Sequence, residues 1–486
     1  MMKRLFVISV LAILTFVQAK AYDFYAVNND GVKIYYDIQA GSGNRVMVTN
    51  SKGAFPTYSG VVKIPNQVTY ERVQYVVEAI GSGAFYRCED LTDVILPQKL
   101  KTIREEAFSQ CVKLTSIIIP DEVISIRYNA FSNCNALKTV SLGANLTEIG
   151  EFAFYQCTDL ENITFGNKVS LIDYSAFSAC YNLKNIQLPE SITEIGAYAF
   201  AYSGLTSITI PNKVLSIGSG AFDYCAYLEQ AIIGDNVSSI GNFAFAGCFE
   251  LKKFIVSEQN QKYSTEDGVL VSKDKTVLIE YTGGKSTSDI PASIKTIGEG
   301  ALSNRGFSKI IIPDNVTTIG AKAFYHCREL TELVIGRNVQ EIGSEAFLYS
   351  GTYGHGLDVY NLNPIPQVVV GNTDLGLGYN DGISKKVSVP VGSGDLYKKA
   401  NYWRDLGTIE QEYIVANENI INEDITIFNA IDGITVNSSS PTIVNVYSIS
   451  GQVVYQKYMR DRLDIQLQRG LYIVKVGNVT KKLYVR

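Results

Sequence analysis

The chain has 486 residues, 46% of them hydrophobic and 19% charged, with a formal net charge of −5. That is ample material for a core, and the acidic balance excludes the basic face that nucleic-acid binding requires. Two histidines, His326 and His355, stand in different contexts with no partner at metal-ligand spacing, so both read as structural or surface residues.

The N-terminus reads as a signal peptide over residues 1–21. Lys3 and Arg4 precede an apolar run over 5–17, too short to span a bilayer, and Ala19-Lys20-Ala21 supplies a small-x-small cleavage pattern. Tyr22 is then the expected mature start, and losing Lys3, Arg4 and Lys20 takes the net charge to −8. The first cysteine is Cys88, which argues against a lipid-anchored leader, and no later segment reaches the ~18 apolar residues of a membrane span. The expected mature protein is exported, without a membrane-spanning segment. Residues 22–80 alternate polar and apolar at Val32-Lys33-Ile34-Tyr35-Tyr36 and Val46-Met47-Val48, which predicts an N-terminal β cap.

A repeat then takes over. Cys88, Cys111, Cys134, Cys157 and Cys180 follow one another every 23 residues, each three residues after the Phe of an Ala-Phe pair. The pair recurs to Ala346-Phe347, and with Ala84-Phe85 and the variant Ala301-Leu302 there are eleven copies. A fixed period in this range is the signature of a solenoid, whose units bury their apolar faces only by stacking. Within each unit, residues such as Leu183, Ile186 and Leu188 have strand spacing, and Pro97, Pro120, Gly143, Gly166, Pro189 or Pro211 ends the strand. A second short segment ends in Ile-Gly, as at Ile149-Gly150, where glycine is expected to let the backbone turn. The Phe of Ala-Phe is the expected core filler.

The unit L-x-x-I-x-I-P-x-x-V-x-x-I-G-x-x-A-F-x-x-C resembles the BspA-like subclass of leucine-rich repeats, known also from spirochaete surface proteins. Arg104, Arg127 and Asp173 depart from it at the Gly position, and Ser203 and Ser350 at the Cys position. The resemblance implies a mainly β, right-handed leucine-rich-repeat solenoid of about eleven ~23-residue coils over 81–350, with β caps at both ends. The period breaks between Phe245 and Leu302, where Gly268–Ser272 and Thr276–Tyr281 flank the turn Lys273-Asp274-Lys275; this predicts a hairpin insertion at about 257–288. Residues 351–413, with Trp403, resemble the family's closing unit and form the expected C-terminal cap. Residues 414–424 are a polar linker. Residues 425–486 predict a small β-sandwich of about seven strands. Its segments 446–454 and 470–486 resemble the C-terminal sorting domain of type IX secretion cargo, which implies an outer-membrane secretion machinery as partner and removal of the domain on export. A permanent adhesive β module is the competing reading.

The chain has no Gly-x-Ser-x-Gly, His-Glu-x-x-His or P-loop motif, and no enzyme, cofactor or metal site is predicted. Eight cysteines in an exported chain invite a disulfide reading, but one per coil at an equivalent position points to a column of buried thiols that are not bridged. The candidate binding surface is carried by Tyr86, Tyr155, Tyr202, Tyr224, Tyr325 and Tyr349, one or two residues after Ala-Phe and expected along one edge. A second candidate is the outward row of the first strand, with Thr164, Gln187 and Thr209 at its polar centre; β-branched residues also simply suit exposed strands. The expected function is adhesion or protein–protein interaction at the cell surface, with host matrix proteins or other bacteria as partners. The alternative is a glycan-binding component of a surface polysaccharide system, against which the single Trp weighs.

Overall fold

The computed structural model describes residues 22–485 except 42, 52–56, 283–286, 289, 352–356, 372–374, 378–384, 405–407, 412–424, 431–432, 439–441, 449–451, 461 and 477–478. The expected signal peptide, His355 and the linker lie outside the described residues. The chain divides into two compact units, one of residues 1–284 with 298–305 and one of residues 285–297 with 306–486. The repeats build a nearly all-β solenoid of about twelve stacked coils of about 23 residues.

In the first unit, Phe24–Val27, Lys33–Ile38 and Arg45–Thr49 form an antiparallel sheet. Arg45–Thr49 then pairs in parallel with Val73–Ile80. From there a ladder of two-residue strands runs coil to coil, from Thr102–Ile103 through Ser125–Ile126 and Glu148–Ile149 to Ser239–Ile240. The other strand of each coil forms shorter ladders. Ser116–Ile118, Thr139–Ser141 and Asn162–Thr164 make one, and Ser207–Thr209, Gln230–Ile233 and Lys253–Val256 another. The inward residues of both strands, such as Ile117, Val140, Ile208, Ile126 and Ile149, are buried, while the outward row includes the exposed Ile118 and Ile255.

The core is an aromatic spine. Phe85, Phe108, Phe131, Phe154, Phe177, Phe200, Phe222 and Phe245 stack face to face, with centroids 4.7 to 5.5 Å apart. Coil spacing enforces this: ladder hydrogen bonds set strands ~4.8 Å apart, so equivalent rings meet at nearly that distance. Tyr58 covers the first ring at 4.4 Å, and Phe254 meets Phe245 edge-on at 5.1 Å.

The Ile-Gly glycines do not turn the chain: their φ angles are not left-handed. They are small because the preceding coil lies against them. A Cβ on Gly150 would sit 2.8 Å from the Ile126 carbonyl oxygen, and one on Gly218 2.3 Å from the Ala197 nitrogen. The left-handed positions lie elsewhere, at the residue before Ala-Phe and at the second residue after it, as in Glu106 and Gln110 or Tyr198 and Tyr202. Between them, alternate N–H groups bond within the coil and to the next coil. Tyr86 N donates to Gly83 O at 3.1 Å, while Phe85 N and Arg87 N donate to Ala107 O and Ser109 O at 2.7 and 2.9 Å. The left-handed residues flank the central crossing bond and make crossing bonds of their own, as Gly83 N and Arg87 N do to Glu105 O and Ser109 O, which keeps this turn stacked on its neighbours.

Residues 263–280 form a three-stranded antiparallel meander, Tyr263–Glu266, Val269–Ser272 and Val277–Glu280. The meander ends in a coil of its own. Tyr281 N donates to Ala301 O at 2.9 Å, the bond that Phe makes elsewhere, and Gly298 N donates to Leu278 O at 2.8 Å. Glu280-Tyr281 thus stands where other coils carry Ala-Phe, which is why counting Ala-Phe pairs finds only eleven coils.

In the second unit, Lys309–Ile312, Glu332–Ile335, Leu357–Asn361, Lys385–Val389 and Thr408–Gln411 form a parallel ladder. Trp403 is buried edge-on against Tyr397, centroids 5.2 Å apart. Residues 425–485 build two antiparallel sheets, of three and four strands, around a shared apolar core that includes Ile434, Val446 and Val474. No helix among the described residues is long and apolar enough to cross a membrane.

Candidate interaction surface

The turn after the second strand presents its side chains in columns, one residue per coil. In the first unit one column is aromatic. Phe152 lies edge-on to Tyr128, Tyr155 and Tyr174 at 5.9, 5.5 and 5.1 Å, and Tyr174 is edge-on to Tyr198 at 5.8 Å. Beside it Tyr202 and Tyr224 stack in parallel at 5.0 Å, and Phe249 meets Tyr224 edge-on at 6.0 Å. Tyr181 and Tyr227, just after cysteine positions, are 54% and 66% exposed.

These rings are covered by glycines of the next Ala-Phe-type turn, which for Phe243 lies past the shortened Glu280-Tyr281 coil. A Cβ on Gly220 would sit 2.4 Å from the Tyr198 ring, one on Gly247 3.0 Å from Tyr224, and one on Gly300 2.8 Å from Phe243. All three glycines have left-handed φ, so that turn supplies both the conformation and the space over which a ring lies.

Of the tyrosines singled out from sequence, Tyr202 and Tyr224 form the stacked pair. Tyr155 turns to Phe152, because the first and second residues after Ala-Phe face differently. Tyr86 is half-buried beside Gln110, whose Nε2 donates to its hydroxyl at 3.4 Å. In the second unit Tyr325 and Tyr349 enclose His326, with centroids 4.2 and 4.8 Å from the imidazole. Burial and the neighbouring Arg328 hold the His326 pKa below its ordinary value. Thr164 and Thr209 are exposed, paired in register with Ser141 and with Ile232. Gln187 is exposed, but residues 183–188 carry no ladder strand. The residues before Ala-Phe, Tyr128, Phe152, Tyr174 and Tyr198, escaped the sequence reading. Their signal was the aromatic at one or two residues before the pair.

The cysteine column lies behind this surface. All eight cysteines are buried and no disulfide joins them. Each of six thiols donates to the carbonyl of the previous coil's Phe, as Cys134 does to Phe108 O at 3.1 Å and Cys225 to Phe200 O at 3.1 Å. Ser350 makes the same bond to Phe324 O at 2.6 Å, which explains why serine can occupy the slot. Burial pushes the thiols of Cys180 and Cys225 up to about 12. Thiolate is the reactive form, so the folded protein should resist iodoacetamide at pH 8, whereas denaturation without reductant should expose all eight thiols to it. Mass spectrometry that finds two or more bridged cysteines would contradict this account.

Arg305 occupies the cysteine slot of its coil, three residues after Leu302, and it is buried. Its guanidinium donates to the carbonyls of Cys248, Phe245 and Tyr281 at 3.0, 3.3 and 2.6 Å and to Glu280 Oε1 at 2.9 Å. It thereby reaches past the shortened Glu280-Tyr281 coil and supplies the donors that a full turn would have provided. Burial pushes the Glu280 carboxyl up to about 7 against the pull of Arg305. Burial likewise pushes nearby Asp223 up to about 7, and one of its carboxylate oxygens has no hydrogen-bond partner among the described residues.

Stacked coils of this repeat, with strand ladders on the sides and a hydrogen-bonded turn column, define a leucine-rich-repeat solenoid. The chain matches the BspA type leucine rich repeat region, in six copies, over residues 67–184, 148–266 and 282–354, more than half of its length, and it belongs to that family. Among solved structures it is similar to a leucine rich cell surface protein from Faecalibacterium prausnitzii A2-165, with a TM-score of 0.51 and 23% identity over 80% of this chain and 95% of that one. It is also similar to a leucine-rich repeat protein from Bacteroides ovatus ATCC 8483, with a TM-score of 0.39 and 22% identity over 80% of this chain and 100% of that one. For the pneumococcal vaccine antigen PcpA the TM-score is 0.42 and the identity 17%, over 81% of this chain and 100% of that one. No curated protein matches the chain.

Proposed function

We propose that the chain is an exported, cell-surface repeat protein that binds other proteins through the turn face of its coils, in adhesion to host matrix proteins or to other bacteria. The observation that carries this reading is the aromatic surface between Tyr128 and Phe249, held on rigid coils and exposed at Tyr181, Tyr202 and Tyr227. Rigid aromatic side chains bring large contact area at low entropy cost, and such residues dominate interface energetics. Protein is favoured over glycan because neighbouring rings meet edge to face. Along Phe152, Tyr155, Tyr174 and Tyr198 that packing breaks up the flat platform on which a sugar would stack, while the exposed rings of Tyr181 and Tyr227 stand outside it. Export rests on the leader over 1–21, and the Faecalibacterium protein is described as a cell surface protein. The C-terminal strands, which resemble a type IX sorting domain, serve as the address; surface protein should then end within 414–440, and an intact Arg486 in its mass spectrum would make them a permanent module.

The binding test uses immobilised fibronectin and fibrinogen beside a glycan array. Replacing Tyr155, Tyr202 and Tyr224 together with Ser should weaken matrix-protein binding by about 2–4 kcal/mol. Equal affinities for wild type and variant would remove the tyrosine face and leave the strand row at Thr164, Gln187 and Thr209.

A further inference from the structure

Charge is segregated on the coils that carry the aromatic surface. Residues 137–250 contain four cationic side chains, Lys138, Lys168, Lys184 and Lys213, and all four lie outside the turns that carry Ala-Phe. The five turns, 150–159, 173–182, 196–204, 218–227 and 241–250, contain no Lys or Arg. They contain seven tyrosines and the acids Glu151, Asp159, Asp173, Asp223 and Glu250, of which Glu151 and Glu250 are exposed. These five turns therefore offer aromatic rings, hydroxyl acceptors and carboxylates, with no Lys or Arg among them, and Arg127 beside Tyr128 marks where the cation-free stretch ends.

We infer that this turn face docks a cationic polypeptide segment, one that presents Arg and Lys side chains to the tyrosines. The inference rests on the reading of this face as a protein-binding surface and adds the chemistry of the partner. Three physical terms favour that occupant. A guanidinium or ammonium gains from an aromatic ring even at an exposed site. Carboxylates at the margin steer a cationic chain to the face and penalise an anionic one. Arginine also donates several hydrogen bonds in a plane, which suits a strip of tyrosine hydroxyls and carboxylates. An anionic partner meets neither attraction and brings repulsion.

The test is fluorescence anisotropy of the full chain with three labelled twelve-residue peptides, repeats of Gly-Ser-Arg, Gly-Ser-Gln and Gly-Ser-Glu. The Arg peptide should bind at least tenfold more tightly than the Gln peptide, and the Glu peptide more weakly still. Because the whole chain is acidic, three variants locate the site. Tyr181→Ser/Tyr202→Ser/Tyr227→Ser should weaken the Arg peptide about tenfold. Glu151→Gln/Asp173→Asn/Glu250→Gln should weaken it severalfold and flatten its salt dependence. Glu161→Gln/Glu190→Gln/Glu194→Gln, on the strand side, should leave it unchanged. Equal binding of the three peptides, or equal losses from turn-side and strand-side carboxylate variants, would overturn the inference. If fibronectin or fibrinogen still binds through the tyrosines in that event, the protein-binding reading stands and only the charge preference fails. If the tyrosine variant changes neither peptide nor matrix-protein binding, both fail.

Discussion

Replacing Arg305 with Met should cost about 3–5 kcal/mol of stability, the usual penalty for breaking a buried ion pair by removing one partner. The variant leaves Glu280 buried without its cation and leaves the carbonyls of Phe245, Cys248 and Tyr281 without this donor. Lysine is a poor substitute, since one ammonium cannot serve four acceptors spread around a planar fork. Adding Glu280→Met to Arg305→Met should recover a large part of the loss, because the isolated charge is then gone. Urea denaturation monitored by circular dichroism reads the change in midpoint. An Arg305→Met midpoint equal to that of the wild type would show that the guanidinium is not closing the coil junction.

The same cluster sets a pH dependence. Asp223 and Glu280 have folded pKa values raised to about 7 from ordinary carboxylate values. The folded state therefore binds more protons than the unfolded state between about pH 4 and 7, and stability falls as pH rises through that window. Asp223→Asn removes one of these groups. It should match the wild type near pH 4 and exceed it by about 2 kcal/mol at pH 8, a figure reduced from the full shift because Asp223 is only partly buried. A variant less stable than wild type at pH 8 would mean that the Asp223 charge is a net stabiliser beside Arg305.

Phe154→Ala should cost about 3–5 kcal/mol, because Phe154 is fully buried and stacked at 5.2 Å on both Phe131 and Phe177. The spine also couples coils, so a gap within it removes contacts on both sides at once. Phe154→Leu should cost about a third as much, since Leu302 fills the equivalent slot naturally. Tyr155→Ala, one residue along and half-buried, should fall well below Phe154→Ala. Similar midpoints for Phe154→Ala and Tyr155→Ala would contradict a spine that holds the coils together.

The coil was legible in the sequence because its core is periodic. Leu114, Ile117, Ile119, Val123, Ile126, Ala130, Phe131 and Cys134 are all buried, and every neighbouring coil repeats their spacing. What a single coil's pattern does not carry is contact between coils. The Ile-Gly glycines suggested a turn, whereas their smallness answers to the backbone of the coil before. The aromatic surface was half visible for the same reason. Tyr202 and Tyr224 stand after Ala-Phe, but Tyr198 and Phe243 are understood only with Gly220 and Gly300, which later turns lay over them. Arg305 was hidden by the insertion, which obscures that it sits three residues after Leu302 in the slot that cysteine fills elsewhere.

In the proposed function, partners bind on the tyrosine turn face and not on the strand row. Hydroxyl-radical footprinting of the intact chain, alone and saturated with whichever of fibronectin and fibrinogen it binds, tests this directly because tyrosine rings are oxidised in proportion to their exposure. Tyr181, Tyr202 and Tyr227 are exposed in the free chain, and so are Ile118 and Ile255 on the strand row. The account predicts that binding protects the three tyrosines severalfold and leaves the peptides containing Ile118 and Ile255 unchanged. Protection of the strand-row peptides with undiminished oxidation of the tyrosines would contradict it.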